Sequence, residues 1–89
     1  MIVKVIEIKN KLGLHARAAS VFVKTAGAFS AEITVSNPNK EANGKNIMSM
    51  MLLQAVCGSE IKVEINGDDE EAAMQAITAL IEDKFGEPE

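Results

Sequence analysis

Eighty-nine residues suit one domain, spanning 1–89, and leave little room for two; a chain of this size removes only about 60–65% of its unfolded surface from water. The apolar share of 47% supports a core, but with three Phe and no Trp or Tyr that core must be aliphatic, and base-stacking platforms are excluded. The net charge of −4 disfavours nucleic acid, a single cysteine rules out an internal disulfide, and no apolar run approaches the ~20 residues of a membrane span.

In chain order, Ile2-Val3-Lys4-Val5-Ile6-Glu7-Ile8 is β-branched and mostly alternates after Val3, which predicts a half-buried strand rather than a signal peptide. Asn10-Lys11-Leu12-Gly13 supplies turn chemistry. Ala19, Phe22, Val23 and Ala26 recur at helical spacing and predict a helix over about 16–26, with Gly27 as its stop. Glu32 to Ser36 alternates as a second strand. Asn37-Pro38-Asn39-Lys40 is a turn, and Glu41-Ala42-Asn43 makes a short third strand.

Ile47 to Leu53 is too short and too apolar for an ordinary amphipathic helix, and predicts two helical turns with apolar side chains left exposed. Glu60 to Ile65 is the cleanest alternation in the chain. A last helix is expected from Asp69 to about Phe85, with Ala73, Ile77, Leu80, Ile81 and Lys84 along its inner side. Asp68 with Glu71 has the form of a capping box, and Gly86 and Pro88 end the helix. The order β-α-β-β-α-β-α predicts an α+β fold, an open-faced β-sandwich whose four-stranded antiparallel sheet is covered on one face by three helices. Cys57 is expected to serve packing.

The net charge hides an asymmetry: residues 1–59 carry +4 and residues 60–89 carry −8. The basic part holds the only histidine, His15, with Lys9, Lys11, Arg17, Lys24 and Lys45, and a basic face points to an anionic ligand or an acidic partner. No Walker loop, GxGxxG, catalytic triad or cluster of metal ligands is present, so neither metal nor cofactor is implied. What remains is the imidazole at the start of a helix. A neutral histidine can attack a phosphoryl group, the backbone N–H groups of Ala16 and Arg17 can bind its oxygens, and the Arg17 guanidinium can add a charge-assisted bond.

Two segments carry a more specific resemblance. NKLGLHARAAS, Asn10 to Ser20, resembles the phosphorylation-site segment of the HPr family, the histidine-containing phosphocarriers of the bacterial phosphotransferase system. Gly44 to Ala73 is similar to that family's second signature and last strand, and the likeness extends over essentially the whole chain. The resemblance implies that His15 accepts a phosphoryl group on Nδ1 from enzyme I and passes it to enzyme IIA proteins, with Arg17 assisting. It implies that Ile47, Met48 and Met51 dock these partners; from the charge distribution, Lys24 and Lys45 are expected to add charge to that docking surface. Ala18 replaces the family's usual proline, a mild loss since alanine is a good helix former. Asn46 stands where many Gram-positive members carry a regulatory serine, so that switch is expected to be missing, with Ser49 as a nearby serine.

A cytoplasmic, monomeric carrier without enzymatic turnover follows from these readings. Two alternatives stay open: a nitrogen-branch carrier that signals phosphorylation state, and a non-catalytic module that only binds a partner through the 47–51 patch.

Overall fold

The computed structural model describes all 89 residues. The elements run β1 (Ile2–Glu7), α1 (Ala16–Ala26), β2 (Glu32–Ser36), β3 (Glu41–Asn43), α2 (Ile47–Met51), β4 (Glu60–Asn66) and α3 (Glu70–Glu82), followed by a 3-10 turn over Lys84–Gly86. The strands form one antiparallel sheet in the order β1-β4-β2-β3, with the three helices on one face and the other face open, as the alternation predicts.

Register explains why one face is apolar. Side chains alternate with period two, so residues paired across antiparallel strands point the same way. Ile6 pairs with Ile61, Ile65 lies between Ile2 and Ile33, and Val63 lies between Lys4 and Val35. Ile6, Ile33, Val35, Ile61, Val63 and Ile65 are buried under the helices, while Val3 and Val5 lie on the open face. Lys4 is the one charge on the inner row; it sits at the sheet edge and its ammonium donates to Thr78 Oγ1 at 3.5 Å.

Helix α1 buries Ala18, Ala19, Phe22 and Ala26, and α3 buries Ala73, Met74, Ile77 and Ile81. Small alanines let the helices approach the sheet closely, and Phe22 fills the centre with no exposure.

Four expectations need correction. The predicted capping box is not formed. Asp69 carboxylate oxygens instead accept from the amides of Ser30 and Ala31 at 2.8 and 2.9 Å, and Glu70 Oε1 accepts from the Gly67 amide at 3.1 Å. The acidic run is thereby tied to the loop before β2 rather than left wholly to solvent. Helix α3 stops at Glu82, because Lys84 and Phe85 take left-handed conformations (φ 57° for both); Phe85, not Lys84, then turns into the core. Helix α2 is one turn and ends at Met51, with Leu53 buried beyond it. Cys57 is exposed and makes no packing contribution to the core.

Truncating the central aromatic tests this packing. Phe22→Ala should cost about 3–5 kcal/mol in chemical denaturation, and a loss below ~1 kcal/mol would mean that Phe22 does not organise the core.

Candidate functional site

The site is built on the turn between β1 and α1. Gly13 has φ +68°, and a Cβ there would lie 2.5 Å from the Ala55 carbonyl oxygen, so only glycine lets the turn sit this close to the 55–56 backbone. Leu14 follows as the anchor: its amide donates to the Ala55 carbonyl at 2.8 Å and its side chain is buried. His15 is then delivered to the N-cap position of α1 in extended conformation.

A histidine is an unusual cap, and its geometry is informative. The Arg17 amide donates to His15 Nδ1 at 3.3 Å, while the Ala16 amide has no protein acceptor. Nδ1 therefore faces the positive end of the helix dipole, with no acidic residue in the first turn to compete. The His15 side chain is 29% exposed, and Ala16 and Arg17 are exposed. The structure thus brings together His15, Ala16 and Arg17 in a shallow, open place.

The other ring nitrogen is occupied. His15 Nε2 lies 2.6 Å from Glu87 Oε2, although the two residues are 72 positions apart, and the Glu87 side chain is only 6% exposed. Glu87 Oε1 accepts from Nδ2 of Asn10 at 3.0 Å. Asn10 is fully buried and also donates to the Gly13 carbonyl at 2.7 Å, leaving its own Oδ1 without a partner. The Lys11 amide donates to the Glu89 carbonyl at 2.7 Å, and the Lys11 ammonium pairs with the Glu89 carboxylate at 3.4 Å. Part of the acidic 60–89 segment is thus folded onto the basic site, which linear charge counting does not anticipate. Glu87 is the site residue the sequence reading missed. The only local signals were Gly86 and Pro88, which mark a turn but not its destination.

Burial works to raise the Glu87 pKa, but hydrogen bonds from Asn10 and His15, with the charge of Arg17, outweigh it and hold the carboxyl below its ordinary value. Asp69 is likewise lowered, chiefly by the Ser30 amide, and Glu70 chiefly by the Gly67 amide.

The proposed docking residues divide. Met48 is 65% exposed, Ile47 and Met51 are more than a third exposed, and Leu52 continues the patch; Met50 alone of this helix is buried. Lys24 is exposed, whereas Lys45 is half-buried with its ammonium 2.6 Å from the Phe29 carbonyl. Lys45 therefore has a structural partner that sequence could not show. Asn46 caps α2, its Oδ1 accepting from the Ser49 amide at 3.0 Å, and Ser49 Oγ accepts from the Asn43 amide at 3.1 Å.

With this geometry in view, comparison with known proteins is decisive. The family model for the "PTS HPr component phosphorylation site" matches residues 2–83. The chain belongs to the HPr family. The phosphocarrier protein HPr of Neisseria meningitidis is 48% identical over 89 residues, the full length of both chains. The crystal structure of an HPr from Thermoanaerobacter tengcongensis superposes with a TM-score of 0.95 at 50% identity, covering 100% of both chains. A structure described as an HPr dimer from the same organism gives 0.78 at 54% identity, covering 92% of this chain and 94% of that one. Sequence, sheet order and length all agree with an HPr phosphocarrier of the phosphotransferase system. No helix is long and apolar enough to cross a membrane.

Acid stability follows from the lowered carboxyls. A group whose folded pKa is depressed adds stability that is complete above its unfolded value and is lost as pH falls through the folded one. With an ordinary value of 4.5 for Glu87, its share should disappear below that pH. Melting curves at about pH 7 and about pH 3 should show a smaller acid loss in Glu87→Gln than in wild type. Equal losses would remove Glu87 from the acid-sensitive set.

Proposed function

We propose that this HPr-family chain accepts a phosphoryl group on Nδ1 of His15 from phosphorylated enzyme I and passes it to enzyme IIA proteins, acting as a covalent intermediate rather than an enzyme. The observation that carries this reading is the placement of Nδ1 against the amide of Arg17 at a helix start, 3.3 Å away. In acceptance, the Nδ1 lone pair forms the new bond to phosphorus. The bond from phosphorus to the donor's histidine nitrogen breaks, and that nitrogen keeps the electron pair. The Arg17 and Ala16 N–H groups then donate to phosphoryl oxygens, and the Arg17 guanidinium supplies a charge-assisted bond. Donation to enzyme IIA is the same exchange in reverse, with His15 as leaving group.

An exposed site suits this use, because the phosphoryl group must pass between protein surfaces without a pocket to leave. Docking falls to Ile47, Met48 and Met51, beside the exposed charge of Lys24. The carrier works as a cytoplasmic monomer that meets each partner in turn. Asn46 offers no hydroxyl to a serine kinase, and its side chain is used instead to cap α2.

Two outcomes test the reading. Incubation with enzyme I and phosphoenolpyruvate should place an acid-labile phosphate on wild type and none on His15→Ala, with acceptance by Arg17→Ala slowed about 10–100-fold; labelling of His15→Ala refutes the assignment. Met48→Glu, by placing a charge in an apolar contact, should weaken partner binding by about 1–3 kcal/mol in titration calorimetry, and unchanged affinity would remove the patch from the interface.

A further inference from the structure

We propose that Glu87 is a positioning residue for His15: its carboxylate keeps the ring proton on Nε2, so that Nδ1 alone is open to a phosphoryl group. This deepens the carrier reading and rests on it. Glu87 lies beyond residues 2–83 matched by the family model.

Two independent contacts demand the same tautomer. A backbone N–H can only donate, so the Arg17 amide requires a lone pair on Nδ1. A carboxylate can only accept, so Glu87 Oε2 at 2.6 Å requires a proton on Nε2. The carboxylate is itself fixed: Asn10 donates to its other oxygen, and Asn10 is clamped to the Gly13 carbonyl inside the protein. On either side of Glu87 the segment is held by buried Phe85 and by the Lys11 amide bond to the Glu89 carbonyl. The other charges near the pair are Arg17 and Lys11, and Lys11 is paired with Glu89.

A neutral imidazole that bonds phosphorus through Nδ1 while keeping its Nε2 proton becomes an imidazolium. The positive charge that develops is shared by Nε2, directly against the Glu87 carboxylate. No proton has to move during transfer. The same contact shields Nε2, which would otherwise be a second nucleophile.

Potassium phosphoramidate tests this without any protein donor, since a ring nitrogen attacks phosphorus, the P–N bond breaks and its electron pair leaves with ammonia. Wild type should be modified on Nδ1 only. Glu87→Ala should carry phosphate on both ring nitrogens, read by phosphorus and nitrogen NMR. Glu87→Gln keeps an accepting oxygen but loses the charge, and should retain Nδ1 selectivity while reacting about tenfold more slowly. In the unphosphorylated proteins, imidazole nitrogen shifts should show a protonated Nε2 in wild type and Glu87→Gln, and a move toward mixed tautomers in Glu87→Ala; a dispersed amide spectrum confirms that each variant is folded. Phosphate on Nε2 of wild type, or wild-type selectivity, rate and nitrogen shifts in Glu87→Ala, overturns the proposal. Should this pattern hold while phosphorylated enzyme I fails to label His15, the carrier reading falls and the hold of Glu87 on the ring stands.

Discussion

The close approach of the Asn10–Gly13 turn to the Ala55–Val56 backbone is the constraint on which the site depends. It is possible only because Gly13 lacks a Cβ and has a positive φ. From it follow the buried Leu14, the start of α1 at Ala16, and a histidine held at the N-cap rather than one residue earlier or later. The same approach leaves Asn10 enclosed, and an enclosed amide must find partners. Its N–H groups find the Gly13 carbonyl and Glu87, while its oxygen goes unpaired. A backbone packing requirement in one turn thus recruits a carboxylate from the far end of the chain.

The sheet was legible in the sequence because its signal is local. Period-two alternation in β1, β2 and β4 fixes which side chains face the helices, and a one-residue slip would put isoleucines on the open face. Helix α1 was legible for the same reason, with Ala19, Phe22 and Ala26 at helical spacing. The misreadings fall where a long-range contact outbids a local preference. The expected Asp68–Glu71 box does not form, and the neighbouring Asp69, at the helix N-cap, binds two amides of the loop before β2. Phe85 leaves helical geometry to reach the core, and α3 ends early. Cys57, small and moderately apolar, is expected inside by type but sits on an exposed loop.

At the site, His15, Ala16 and Arg17 were legible because they are neighbours in the chain and the helix start arranges them. Glu87 was not, since nothing within a few residues of it indicates that a turn of left-handed residues will return the chain to His15. Lys45 shows the opposite failure: a lysine counted with the basic surface spends its ammonium on the Phe29 carbonyl. Residue type and linear charge therefore identify candidates, while the partner of each charge is decided by topology.

The segment that carries Glu87 is held by opposing terms of similar size. Left-handed conformations at Lys84 and Phe85 cost about 1–2 kcal/mol each. Burial of Phe85 returns about 1.5–3 kcal/mol, which leaves the backbone geometry near balance on its own. What tips it is the polar contact at the other end, where a carboxylate meets Asn10 and the imidazole, bonds to a charged group being worth about 1.5–3 kcal/mol. The segment is therefore fastened by the site as much as it fastens the site. Such mutual dependence ties one nitrogen of the ring firmly while leaving the other at an open surface, an arrangement that gives chemical selectivity without enclosure.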